Sequence, residues 1–250
     1  MSESTDNVWL AKSQPAPQAR VRLFCFPYAG GSSLTFRRWP EALSPEVEVC
    51  PVQLPGRGSR MSEPPLKAVH DIVEAFLPVM ARRLDKPFAF FGHSMGGAIA
   101  FELSRRLRSD CGVEPLRLFI SGRRAPHLAP NGPVIYDLPE PEFKEELRRL
   151  NGTPAELLEH PEMMEILVPL LRADISVSQT YRCDSRLSLT CPMTIYGGLE
   201  DAHDEPAGLA AWREHTLGPF ELKMFAGDHF FINTAQPQLL DALRVALNGV

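Results

Sequence analysis

The chain has 250 residues, 44% of them hydrophobic, and a formal net charge of −5. That length and apolar content can bury a substantial core in one α/β domain. The acidic balance, without any Lys/Arg block, excludes nucleic acid or an anionic membrane surface as the main partner, and no run approaches the roughly eighteen apolar residues of a membrane span.

The N-terminal stretch MSESTDNVWLAKSQPAPQAR lacks a basic start followed by an apolar segment, so a soluble, cytoplasmic protein is expected. Residues 1–18 are expected to form a disordered arm ahead of a single domain spanning 19–250. Cys25, Cys50, Cys111, Cys183 and Cys191 are odd in number and form no CxxC pair. They read as small apolar residues, not disulfides or metal ligands, and neither a metal nor a cofactor is expected.

The first strand is predicted at VRLFCF (21–26) and runs into a flexible loop, FPYAGGSS (26–33). A second strand follows at VEVCPVQL (47–54). Helical spacing then governs 66–84, where Leu66, Val69, Ile72, Val73, Phe76, Leu77, Met80 and Leu84 share a stripe interrupted by Pro78, which predicts a kink there. FAFF (88–91) is the third strand, and the segment after Ser94 is a helix with Ile99, Leu103 and Leu107 on one face. Further strands are predicted at LRLFIS (116–121), MTIY (193–196) and FELKMF (220–225). Between the fourth and fifth strands, about 130–185, two or more helical patterns occur with no strand, predicting a helical insertion. Near-continuous apolar strands alternating with helices require a mostly parallel sheet covered on both faces.

The sequence FFGHSMGGAIAF (90–101) breaks an apolar run with a serine between glycines. A Gly-x-Ser-x-Gly at a strand-to-helix junction is the nucleophile elbow of α/β-hydrolases: the turn is too sharp for side chains at the flanking positions, and it exposes the serine oxygen at a helix N-terminus. Ser94 is therefore the candidate nucleophile. A serine needs a base, and the base needs an acid, in the order Ser, acid, His. His229, in FAGDHFF after the last predicted strand, is the candidate base. Asp201, after MTIYGG, is the candidate acid, with Glu200, Asp204 and Glu205 competing; Asp228 adjoins His229 too closely to orient it. An oxyanion hole requires two backbone N–H groups. Met95, directly after the nucleophile, supplies one, and the loop at 26–33 the other, from Ala29 or alternatively Gly30.

In combination these residues resemble the discrete type II thioesterases that accompany polyketide synthases and nonribosomal peptide synthetases. The resemblance rests on FPYAGGS (26–32), LPGRGSR (54–60), FGHSMGG (91–97), LRAD before TY (171–181), YGGLED (196–201) with Trp212 downstream, and GDHFF (227–231). It implies an α/β-hydrolase fold in which the helical insertion is a lid, and it maps nucleophile, acid and base onto Ser94, Asp201 and His229 and the oxyanion donors onto Ala29 and Met95. The acidic, His-containing stretch after Asp201 departs from the pattern. The implied activity is hydrolysis of unproductive acyl groups from the phosphopantetheine arm of an acyl or peptidyl carrier protein, by a monomer. Arg37, Arg38, Arg57 and Arg60 are each read as solvated surface charges, with a basic rim for that partner as the alternative, while Met163, Met164, Ile166, Leu167, Leu170 and Leu171 are read mainly as lid core, a few of them lining a pocket. A general carboxylester hydrolase and a non-catalytic binding protein of the same fold are the alternatives.

Overall fold

Each of the six apolar runs becomes a strand, and the strands assemble in the order β2-β1-β3-β4-β5-β6, every pairing parallel. The structure is a computed structural model that describes residues 8–11, 16–150, 152–153, 155–183 and 188–248. In chain order it comprises β1 (Val21–Phe26), α1 (Trp39–Leu43), β2 (Val47–Pro51), α2 (Val69–Ala81), β3 (Phe88–His93), α3 (Met95–Cys111) and β4 (Leu118–Ser121). The lid helices α4 (Glu140–Leu150), α5 (Ala155–Leu158) and α6 (Pro161–Thr180) follow. The chain then returns through β5 (Met193–Gly198), α7 (Pro206–Ala210), β6 (Phe220–Phe225), α8 (Phe231–Thr234) and α9 (Gln236–Asn248).

Successive strand residues point to opposite faces, and both faces are covered. Phe24, Phe26 and Phe90 pack with Phe76 of α2 and Ile99 and Leu103 of α3. On the other side Leu23, Cys25, Phe91 and Phe119 pack with Trp39 of α1 and Leu243 of α9. This two-sided burial is why β1 and β3 read as continuous apolar runs. The edge strand β6 alternates instead, with Glu221 and Lys223 exposed.

The predicted helix at 66–84 is shorter at both ends: Ala68 is extended, so α2 begins at Val69, and it ends at Ala81; Pro78 lies inside it. The lid cluster joins Ile135, Phe143, Leu147, Leu158, Met164, Val168, Leu171 and Ile175. Met163 and Ile166, read as lid core in the sequence, instead face solvent.

The expected disorder of residues 1–18 does not extend to 8–11. Leu10 bridges antiparallel to Val52, Gln53 N–H donates to the Trp9 carbonyl at 2.7 Å, and buried Trp9 packs on Phe76 beneath the Arg60 guanidinium, 4.0 Å from its ring centroid. Residues 1–7 and 12–15 of that arm lie outside the described residues. None of the five cysteines forms a disulfide; Cys111 is exposed and the other four are buried. Among the described residues no helix is long and apolar enough to cross a membrane.

Candidate active site

β3 ends at His93 and α3 begins at Met95, so one residue must reverse the chain between them. That residue is Ser94, with φ 53° and ψ −113°, the only non-glycine residue at positive φ among the described residues. Such a conformation costs of order 1–3 kcal/mol and persists only where the surroundings enforce it. Here Ser94 N–H donates to the Ser121 carbonyl at 2.7 Å and the Ser94 carbonyl accepts from Gly97 N–H at 3.0 Å. The flanking glycines are obligatory: a Cβ on Gly92 would lie 2.1 Å from the Gly96 carbonyl oxygen, and one on Gly96 would lie 2.1 Å from that of Phe26. The Ser94 hydroxyl makes no capping bond to α3. The turn thus presents an oxygen and does not cap a helix with it.

Two other strand ends converge on this point. The loop after β5 and the loop after β6 are laced together, since Leu199 N–H donates to the Phe225 carbonyl at 2.8 Å and Glu200 N–H to that of Gly227 at 3.0 Å. A Cβ on Gly198 would stand 2.4 Å from the Asp228 carbonyl oxygen, so glycine at the end of YGG is what lets the two loops touch. The result is a 2.7 Å hydrogen bond between His229 Nδ1 and Asp201 Oδ2, while Asp201 Oδ1 accepts from His203 N–H at 2.9 Å. The Asp201 side chain is only 1% exposed.

The electrostatics follow from this pairing. Burial pushes the Asp201 carboxyl up, but the bond from His229 and its charge outweigh burial and hold it below the ordinary carboxylate value. Burial likewise pushes His229 down, yet Asp201, with Asp204 and Asp228 behind it, raises its imidazole above the usual histidine range. The arrangement suits a base that becomes an imidazolium during reaction.

Among the competing acids, Glu200 and Glu205 are exposed, and Asp228 Oδ1 accepts from Phe230 N–H at 2.8 Å. Asp204 is buried nearby, accepting from Arg124 N–H at 2.9 Å; burial raises its carboxyl above the ordinary range. Asp201, Asp204 and His229 offer ligand atoms within 4.8 Å of one another, the one such group among the described residues. With His229 Nδ1 already bonded to Asp201, however, the cluster reads as a hydrogen-bonded dyad with a neighbouring carboxylate.

His93, inside the elbow, is fully buried and faces Ser121 Oγ through Nδ1 at 2.9 Å. Burial, reinforced by nearby His229, holds its imidazole well below the usual histidine range.

The loop after β1 approaches from the opposite side. Gly30 N–H donates to Asp174 Oδ2 at 2.7 Å, which removes it as a free donor. Ala29 N–H donates to no acceptor among the described residues, and Ala29 lines the same cavity as Ser94 and His229. This cavity, of about 240 Å³, is completed by Ile135, Leu147, Leu171 and Ile175 of the lid, with Arg123 and Asp204 beside them.

The reading of the four arginines as surface charges is half corrected. Arg57 and Arg60 are buried, at 4% and 6% exposure, and paired with Asp174 and Glu63 respectively; a guanidinium in that setting satisfies internal acceptors, not a partner. Arg37 and Arg38 are exposed. The Asp174 partnership and the burial of Asp204 were not anticipated, because each depends on segments far apart in the chain.

A family model described as a thioesterase domain matches residues 21–247. The chain is 40% identical over 227 residues to thioesterase PikA5 of Streptomyces venezuelae, covering 90% of this chain and 80% of that protein. It is 43% identical over 248 residues to linear gramicidin dehydrogenase LgrE of Brevibacillus parabrevis, covering 96% and 93%. Despite that relative's name, β1 of this chain runs into PYAGGSS, without the Gly-x-Gly-x-x-Gly spacing of a dinucleotide-binding turn. The solved structure of the type II thioesterase BorB, from the borrelidin biosynthetic cluster, superimposes with a TM-score of 0.87 at 36% identity, covering 96% of this chain and 98% of BorB. Matched across residues 21–247 and superimposable on BorB over nearly its whole length, this chain belongs to the thioesterase family and is a thiolester hydrolase of the α/β-hydrolase fold.

Proposed function

We propose that the chain removes acyl groups from the phosphopantetheine arm of carrier proteins, serving a polyketide or nonribosomal peptide synthase in the cytoplasm as a monomer, with Ser94, His229 and Asp201 as its catalytic triad. The observation that carries the chemistry is the 2.7 Å bond from the imidazole to buried Asp201, in a cavity that Ser94 and His229 share. Ser94 Oγ attacks the thioester carbonyl carbon while His229 Nε2 takes its proton. The negative oxygen that forms is received by the N–H groups of Ala29 and Met95. Collapse breaks the carbon–sulfur bond, the imidazolium returns its proton to the departing thiolate, and an acyl-Ser94 ester remains. Water, deprotonated by the same imidazole, then attacks that ester; the bond from the acyl carbon to Ser94 Oγ breaks, the imidazolium returns the proton to Oγ, and the free acid leaves.

Support for a carrier-bound substrate comes from the type II thioesterase motifs and from the setting of relatives such as BorB. Arg37 and Arg38, both exposed, are available to an acidic carrier surface. An enzyme of this kind uses binding energy from the remote arm and carrier to position the thioester, so shortened substrates lose rate as well as affinity. The test is kcat/KM for one short acyl group on a carrier protein, on coenzyme A, on pantetheine and as a nitrophenyl oxygen ester. The carrier-bound form is expected to be best, with an advantage that shrinks at high salt. Preference for the oxygen ester over every thioester would replace this reading by a general carboxylester hydrolase.

A further inference from the structure

Two motifs of the sequence, LPGRGSR and LRAD, have no role in the chemistry above, yet the fold brings them together where the lid helix α6 meets the body of the domain. Asp174 of α6 is 1% exposed and Arg57 is 4% exposed. Their side chains meet through two parallel bonds, Arg57 Nη1 to Asp174 Oδ2 and Nη2 to Oδ1, both 2.6 Å. Such a forked pair fixes orientation as well as distance. The same Asp174 Oδ2 also accepts from Gly30 N–H at 2.7 Å, and Arg57 Nη1 donates to the Gly31 carbonyl at 3.1 Å. Both partners therefore grip the loop that carries Ala29, one through a donor and the other through an acceptor.

The rest of that loop is held in keeping. Gly30 lies directly under α6, where a Cβ would stand 2.8 Å from Leu171 Cδ2, and it takes φ +79°. At the far end, Gln53 Oε1 accepts from Ser33 Oγ at 2.6 Å, while Gln53 Nε2 donates to the Arg57 carbonyl at 2.9 Å. The Ala29 N–H belongs to the rigid Tyr28–Ala29 peptide unit, whose carbonyl accepts from Gly31 N–H at 2.9 Å; Gly30 and Gly31, which close that turn, are the residues that Asp174 and Arg57 hold, so the clamp acts on the unit through them. Charge is also balanced: a buried carboxylate one residue from a developing oxyanion would oppose the reaction, and the bidentate guanidinium neutralises it.

We infer that Arg57 and Asp174 are positioning residues: a neutral clamp that joins the lid helix to the oxyanion loop, sets the aim of Ala29 N–H, and so makes the chemical step depend on a seated lid. The inference rests on the assignment of Ala29 as an oxyanion donor in the reading above.

The test replaces both partners by apolar side chains of similar size, Arg57→Met with Asp174→Leu. Exchanging a buried ion pair for packed apolar groups is often neutral for stability, so this variant separates holding the fold from aiming the loop. Hydrolysis of p-nitrophenyl acetate is followed, with competent sites counted from the burst of nitrophenol and labelling by a fluorophosphonate as a second count. Complete removal of an oxyanion donor typically costs about 10²–10³ in kcat; a misaimed donor is expected to cost roughly 10- to 100-fold per competent site. KM and the acidic limb of the pH profile should stay as in the wild type, because the His229–Asp201 pair is untouched. Wild-type kcat per competent site, whatever the thermal stability, would overturn the clamp. If the double variant does not fold, Arg57→Lys decides, since it keeps the charge and loses the fork: reduced kcat at unchanged KM and acidic limb supports the clamp, and unchanged kcat overturns it. Wild-type enzyme that neither turns over the ester nor labels at Ser94 would instead remove the underlying assignment, a different outcome from a failed clamp.

Discussion

Replacing Asp201 by asparagine keeps the size of the side chain and removes its charge, and the structure sets what this must cost. Asp201 Oδ1 is committed to His203 N–H at 2.9 Å, so the new amide nitrogen falls at Oδ2, facing His229 Nδ1 at 2.7 Å. A donor there forces the ring proton onto Nε2, the nitrogen assigned to accept the proton of Ser94. Turning the amide over restores an acceptor to His229 but sets two donors against each other at His203, in a place where the Asp201 side chain is 1% exposed. An unsatisfied buried group costs about 1–3 kcal/mol, and losing a hydrogen bond to a charged partner about 1.5–3 kcal/mol. Together these are roughly 2.5–6 kcal/mol, or about 10²–10⁴ in rate. Steady-state hydrolysis of an acyl-carrier thioester, with the site concentration fixed by fluorophosphonate titration, reads this directly. A loss smaller than tenfold, or a larger loss from Asp204→Asn, would refute the role given to Asp201.

Three further outcomes follow from the same geometry. His229 must be neutral to accept a proton and its imidazole is held above the ordinary value of about 6.5, so kcat/KM should rise with pH along an acidic limb centred above that value. Asp204→Asn keeps the acceptor for Arg124 N–H but removes a negative charge that holds the proton on His229; its plateau rate should match the wild type while the limb moves to lower pH. A limb that stays put would show that the Asp204 charge does not reach the imidazole. Gly92→Ala places a Cβ 2.1 Å from a backbone oxygen that no rotamer change can move, and should cost about 3 kcal/mol or more, lowering Tm by roughly 6–12 °C in a chain of this size. A Tm within 2 °C of wild type would refute the tight enclosure of the elbow.

What the sequence reveals and what it hides divide along physical lines. A strand buried on both faces must be apolar along its length, so the inner strands are visible as local runs, while the edge strand β6 shows as an alternation of apolar and charged residues; with them come the strand ends where Ser94, Asp201 and His229 stand. The elbow is legible because Gly92 answers a local steric demand, the approach of the Gly96 carbonyl, even though Gly96 itself makes room for the distant Phe26 carbonyl. The oxyanion loop is only half legible: Ala29 and Gly30 look alike as donors until Asp174, 144 residues further on, claims the Gly30 N–H. Arg57 and Arg60 show the same limit. An arginine is ordinarily a surface residue, and nothing near Arg57 discloses that Asp174, 117 residues away, draws it inside. Trp9 is hidden for a similar reason: Val8, Trp9 and Leu10 make an apolar run too short to show a periodicity in an otherwise polar, proline-containing arm, and only the packing against Phe76 and Arg60 shows that Trp9 belongs to the core.

The most direct test of the account asks where the acyl group goes. Wild-type enzyme is mixed with an acyl-carrier thioester, quenched in acid on the millisecond scale, and measured by intact mass and then by peptide mapping; Ser94→Ala is carried through in parallel, with its fold checked by circular dichroism. A transient adduct of the acyl mass on the peptide containing Ser94, decaying as free acid appears, with no adduct and no hydrolysis by folded Ser94→Ala, is the predicted result. An adduct on another residue, or free acid released by Ser94→Ala at the wild-type rate, would contradict it.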